Sequence, residues 1–286
     1  MTLGAAELVQ ASHGWQLIRQ PGPDIARLLI GRPVDEAAAL LPRLFNLCRT
    51  AQGTAVRLSL GLPVTNGTSA EIIRDHLAHL YVILPRALGL DPVPPPNPQD
   101  RKSLFGPTGR LPQDPAALRL WLAADNALAR LARQVEQLFP VALWKIPRLP
   151  KARGIIPGAF ENSPAARQAD HSLLQALPCG PFWRLLGKLC DLEAALDNKL
   201  PAPERLADGT ALVQAARGTY ALRLTHTSGR ITGLARLTPT DHQLAPGGPM
   251  ETALDLLPTD RPDLARALVA LIDPCIPVTV QEASHA

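Results

Sequence analysis

What the chain has little of sets the first limits. Phe, Trp and Tyr make up only 4% of its 286 residues, so Leu and Ala must fill the core, and periodic stretches rich in both favour helix. Four cysteines, at 48, 179, 190 and 275, are too few for a disulfide scaffold; reduced thiols in a cytoplasmic protein are expected. No apolar run reaches the ~18 residues that a bilayer span needs. The stretch Met1-Thr-Leu-Gly-Ala-Ala-Glu7 lacks the basic and apolar regions of a signal peptide. Charge of one sign is barely in excess: 29 basic side chains against 25 acidic give +4. That balance points to a solvated surface and away from nucleic-acid binding.

What is present fits a helical protein. Apolar residues are 46% of the chain, enough for a sizeable core, but 30 prolines must break it into short helices. The expected fold is therefore mainly α, with one small β-hairpin. Leu264, Leu268, Leu271 and Ile272 recur at helical spacing, and Pro274 should stop that helix at Asp273. Cys275 then lies just past a helix end. Pro33, Asp35 and Glu36 suit a helix first turn. The apolar stripe behind them, interrupted at Pro42, runs to Leu47 and Cys48. Periodicity alone reads Cys48 as a small core residue. Thr68 and Glu71 have capping-box spacing, and the helix behind them carries Asp75, His76 and His79. The two histidines share a face, but no third metal ligand stands at suitable spacing, so both read as structural.

Residues 91–100 form a stiff Pro-rich connector. Asp114 and Pro115 open a helix whose apolar positions continue from Leu118 to Leu138. From Pro140 to Pro178 the chain reads as loop, with a solvated basic cluster of Lys145, Arg148, Lys151 and Arg153. Phe182 to Leu196 is helical, and Cys179 and Cys190 match no common metal spacing. The period then changes: Tyr220, Leu222 and Leu224 alternate, His226 to Gly229 turns, and Arg230 to Leu237 returns as a hairpin.

Four separated stretches resemble the large subunit of nickel–iron hydrogenases, in shortened form. Ile30-Gly-Arg-Pro-Val-Asp-Glu-Ala37 through Arg43-Leu-Phe-Asn-Leu-Cys48 is similar to its N-terminal motif. Asp75-His-Leu-Ala-His-Leu-Tyr81 is similar to its D-H-x-x-H-F-Y helix. Ala216-Arg-Gly218, Thr238-Pro-Thr240 and Gly248-Pro-Met-Glu-Thr-Ala-Leu254 resemble its later series, and Asp273-Pro-Cys275 its C-terminal motif. The likeness covers roughly the first 90 and last 75 residues of one domain spanning 1–286; the segment 101–200 is unmatched.

The departures matter most. In the family, four thiolates hold a nickel and an iron that carries two cyanides and a carbon monoxide. Here Phe45 and Val278 stand at two thiolate positions, and Gln52 and Gln281 at two motif histidines. Only Cys48 and Cys275 remain as expected metal ligands, so neither a stable nickel site nor hydrogenase catalysis is expected. The resemblance implies that Arg217 and Asp273 bind cofactor, with Arg217 over the diatomic ligands. The pattern is similar to accessory proteins of the HupK/HoxV type and implies a non-enzymatic scaffold. Such a scaffold carries the iron–dicyanide–carbonyl fragment transiently and passes it to the hydrogenase large subunit. Implied partners are a small maturation chaperone, the iron–cyanide assembly complex and the large-subunit precursor. The alternative is a metal-free large-subunit mimic that binds the chaperones. With Gln281 at the motif histidine, the last residues are expected to stay uncleaved and loose, letting the segment after Cys275 swing open.

Overall fold

A computed structural model describes residues 4–44, 47–64 and 67–282. Two alternating stretches begin the chain and pair with each other. Gly4–Ala11 (β1) and Gly14–Pro21 (β2) form an antiparallel hairpin with Leu8 opposite Leu17. Period 2 sends Ala6 and Leu8 of β1 into the core. Ile25–Leu29 (α1) and Val34–Leu40 (α2) follow. Asp35 and Glu36 occupy the first turn of α2, where acids meet the positive helix end. Pro42 converts the end of α2 into a 3-10 turn over Leu41–Arg43.

Arg49–Ser59 (α3) starts directly after Cys48. Ser69–Ala78 (α4) runs through a π-helical turn, His79–Ile83, into Leu84–Ala87 (α5). The capping box expected at Thr68 and Glu71 does not form, and the Thr68 side chain makes no cap bond. Glu71 turns to the neighbouring helix instead. Its carboxylate accepts from the N–H groups of Thr50 at 2.7 Å and Ala51 at 3.1 Å, donors that α3 cannot satisfy itself.

The connector is extended, and Val93 donates its N–H to Tyr81 O at 3.1 Å. Arg101–Phe105 (α6), Pro115–Leu122 (α7) and Ala127–Leu138 (α8) come next. The long amphipathic stretch expected from Leu118 to Leu138 is two helices, because Asn126 caps a new start by accepting from Ala129 N. The loop-like region holds two one-turn helices, Pro164–Arg167 (α9) and Ser172–Gln175 (α10). Pro181–Leu196 (α11) is buried on almost every face and packs against α4, α8 and α9. Leu185, Leu186, Leu189 and Leu192 are fully enclosed. Each contributes about 1.5–3 kcal/mol, which offsets the burial of Lys188 and Asp191 on the same helix. Cys179 and Cys190 lie in this core.

The expected hairpin is the centre of a wider sheet. Glu204–Arg205 (β3), Ala211–Ala215 (β4), Gly218–Thr227 (β5) and Arg230–Leu237 (β6) form an antiparallel sheet in that order. Pro239–Gln243 (α12), Pro249–Leu254 (α13) and Pro262–Ile272 (α14) follow, and α14 stops at Asp273, before Pro274. Val278–Gln281 (β7) then pairs parallel with β1, from Ala6↔Val278 to Val9↔Gln281, giving a second sheet, β2-β1-β7. The segment after Cys275, expected to be free to swing open, is held as a strand; of the tail expected to be loose, residues 283–286 lie outside the described residues. Helices supply most elements, and two small sheets replace the single hairpin. No helix among the described residues is long and apolar enough to cross a membrane.

Candidate functional site

Cys48, Arg217 and Cys275 line one cleft of about 760 Å³. Three different pieces of chain deliver them. Cys48 is the residue before α3 and takes left-handed backbone geometry, φ 53° and ψ 37°. Asp273, which ends α14 two residues before Cys275, does the same at φ 54° and ψ 57°. For residues with a Cβ this geometry costs about 1–2 kcal/mol each, and here it turns the chain sharply beside both cysteines.

Cys275 is fixed by Thr240 of α12. The Thr240 hydroxyl accepts from Cys275 N at 2.8 Å and donates to Cys275 Sγ at 2.9 Å. Burial pushes the Cys48 thiol up to about 11, against the pull of the Arg217 charge; Glu71 adds to the rise. Gln52, one turn into α3, also lines the cleft. Its Nε2 donates to Leu47 O at 3.1 Å, while its Oε1 is buried with no partner among the described residues. Phe45, at the position of a missing thiolate, lies outside the described residues.

Arg217 sits in the tight turn between β4 and β5, and this turn is clamped from below. Arg167 of α9 donates to Ala215 O at 3.2 Å and Gly218 O at 3.3 Å. Asn162 accepts from Thr219 N at 2.7 Å and donates to Thr219 O at 2.9 Å. Gly218 has φ 143°, and a Cβ there falls 2.5 Å from Asn162 Oδ1, so no other residue fits. Arg167 is held in turn by Asp191, which also bonds His76 Nε2 and Gln168 Nε2, each at 2.8 Å.

Asp273 is the hub beneath the cleft. Arg217 Nε donates to its backbone O at 3.1 Å and to Oδ1 at 3.2 Å, and Nη2 reaches Oδ1 at 3.1 Å. Lys188 Nζ donates to Oδ2 at 2.8 Å. Burial works against this carboxylate's charge, but the charges of Lys188 and Arg217 hold it well below the usual range. Burial pushes His79 down to about 3, so its ring is neutral. It donates from Nε2 to Ala270 O at 2.9 Å and accepts from Lys188 at Nδ1, 3.1 Å away. Both histidines are therefore consumed by hydrogen bonds. Among the described residues no three His, Cys, Asp or Glu side chains group as a metal site.

Arg217 has a donor left over. Arg217 Nη1 is buried with no partner among the described residues. A buried guanidinium N–H without an acceptor costs more than an ordinary unmade hydrogen bond, so the site fits an acceptor group that the protein itself does not supply. The sequence reading brought together Cys48, Arg217, Asp273 and Cys275. It passed over Lys188, Arg167 and Asp191, all from the unmatched segment. The one available signal for Lys188 was a cation among the leucines of α11. Thr240 stood in a quoted motif but received no role.

No family model matches the chain. It is 42% identical over 278 residues to the hydrogenase expression/formation protein HupK of Rhodobacter capsulatus, across 92% of this chain and 91% of that protein. It is 27% identical to HupK of Bradyrhizobium diazoefficiens, across 92% of each chain. The fold is similar to the Ni-Fe-Se hydrogenase of Desulfomicrobium baculatum, with a TM-score of 0.55 at 14% identity over 93% of this chain and 94% of that one. It is similar as well to an NAD+-reducing NiFe hydrogenase, with a TM-score of 0.54 at 15% identity over 92% of each. Identity at this level across nearly the whole length places the chain: it belongs to the HupK family of hydrogenase expression/formation proteins, on the fold of nickel–iron hydrogenase large subunits.

Proposed function

We propose that the protein is a maturation scaffold that receives, holds and hands on the iron–dicyanide–carbonyl fragment of the nickel–iron cofactor. One observation carries the reading: two thiol residues from distant parts of the chain line one cleft together with an arginine whose Nη1 has no partner among the described residues. An iron bearing three diatomic ligands has three octahedral positions left. Cys48 and Cys275 fill two and leave one open, so the cargo is held without being locked. Each Fe–S bond forms as a thiol proton leaves to solvent; Cys48, with its thiol pushed up to about 11, keeps its proton until iron displaces it. The free N–H of Arg217 suits a cyanide nitrogen, and its fixed charge suits an anionic assembly. Two thiolates do not make the four-thiolate nickel site, so nickel enters after handover. The partners in this reading are a small maturation chaperone with the iron–cyanide assembly complex as donor, and the large-subunit precursor as recipient.

Protein purified anaerobically from cells containing the maturation proteins tests this. The expectation is close to one iron per chain, with infrared absorption from metal-bound cyanide and carbonyl. Cys48→Ala and Cys275→Ala should each lose both while remaining soluble. Undiminished bands in both variants would sink the two-thiolate site. The second reading, a metal-free mimic that engages the chaperones, draws on the large-subunit fold alone. It gains if the wild type copurifies with a chaperone but carries no iron.

A further inference from the structure

Asp273 takes its two cations in an unusual way. Arginine and a carboxylate left to themselves adopt a bidentate fork, with one N–H on each oxygen. Here both side-chain contacts of Arg217 fall on Oδ1, through Nε at 3.2 Å and Nη2 at 3.1 Å. Oδ2 belongs to Lys188, at 2.8 Å. Lys188 comes from the middle of α11, its side chain is 6% exposed, and its other bond is to the neutral His79. The chain thus places a second cation where it blocks the fork.

We infer that Lys188 is a positioning residue for the cleft: by occupying Oδ2 of Asp273 it keeps the Nε/Nη2 edge of Arg217 on Oδ1, and so fixes where the Arg217 Nη1 donor stands and holds the Asp273-Pro274-Cys275 turn in place. The anionic acceptor meant for that donor rests on the carrier reading above; the geometry does not. Without Lys188, Oδ2 is a buried charged oxygen that has lost its cation, and such an atom draws in the nearest donor. Arg217 is already in contact with Asp273. Its swing toward Oδ2 takes the guanidinium from the cleft wall and twists the residue two positions before Cys275. A cavity of about 10 Å³, room for about one water, lies beside Lys188 and is shared by Ser163, Arg184 and Arg217.

The test has two arms. In metal-free protein, thiol labelling read by peptide mass should show Cys275 reacting several-fold faster in Lys188→Met than in wild type, with Cys190 still protected as a check on folding. In protein loaded in cells with the maturation proteins, Lys188→Met should retain less iron. The cyanide bands of what remains should shift, because the Arg217 donor is displaced. Lys188→Arg should restore both. A purely structural role would lower the yield of folded protein without moving the bands. If Lys188→Met does not fold, Lys188→Gln takes its place with the same expectations. Wild-type labelling and band positions in the neutral variant, or Lys188→Arg behaving like it, would overturn the inference. If wild type itself shows no bands, the carrier reading fails, and the labelling arm alone decides the role of Lys188.

Discussion

Glu71 shows how one residue can serve fold and chemistry with opposite signs. Its carboxylate caps α3 through Thr50 and Ala51, and the same charge helps hold a proton on Cys48. Glu71→Gln keeps one acceptor and loses the charge. It should lower stability by about 1 kcal/mol, read by urea unfolding. It should also bring the midpoint of Cys48 alkylation below about 11. An unchanged midpoint would show that the Glu71 charge does not act on the thiol. The sign of linkage follows: a thiol raised in the folded state contributes stability that is complete below its unfolded value of 9.0 and is lost as pH rises through about 11. Sequence could not give Glu71 this role. Its spacing from Thr68 matches a capping box, and only tertiary packing reveals that α3 takes the carboxylate.

Between elements, the contact of α9 with α11 governs the site most directly. Gly187 of α11 touches α9 so closely that a Cβ would fall 2.1 Å from Ala165 Cβ and 2.3 Å from Ala165 Cα. Two residues after Ala165, Arg167 clamps the Arg217 turn. Gly187→Ala should therefore push α9 outward, cost about 1–3 kcal/mol and loosen the turn. Ala165→Gly in the same chain should recover part of that loss, because the two sites share one contact. Thermal unfolding of the two single variants and the double variant measures the coupling; simple additivity would contradict it. The helix itself was legible, since its leucines keep a helical period. Its buried Lys188 and Asp191 were not, because their partners, Asp273, Arg167 and His76, are remote in sequence. The hairpin was legible for the same reason as the helix: Tyr220, Leu222 and Leu224 alternate. The sheet around it was not, since β3 is two residues long.

At the scale of the whole molecule, β7 ties residues near one end of the chain to those near the other. A four-residue strand paired with a partner about 270 positions away leaves no local trace, which is why no strand was expected there. The pairing changes how the site could open. Cys275 lies between α14, anchored by Leu264, Leu268 and Leu271, and β7, whose Val278 and Val280 are only partly buried against the core. Arg217 and Cys48 lie outside this sheet, so release of β7 loosens one side of Cys275, leaving it held by Thr240, while the rest of the cleft stands. Because β7 is short and at a sheet edge, its opening should need less free energy than global unfolding. Val278→Ala with Val280→Ala removes two half-buried pairs of methyl groups, about 1 kcal/mol of contact each. Native-state hydrogen exchange should then accelerate across residues 278–281 and stay unchanged in β5, and iron loss from loaded protein should quicken in parallel. Exchange in β7 that matches the slow core of β5 in both proteins would mean that the strand opens only with the whole fold, and that in the proposed carrier role cargo leaves by another route.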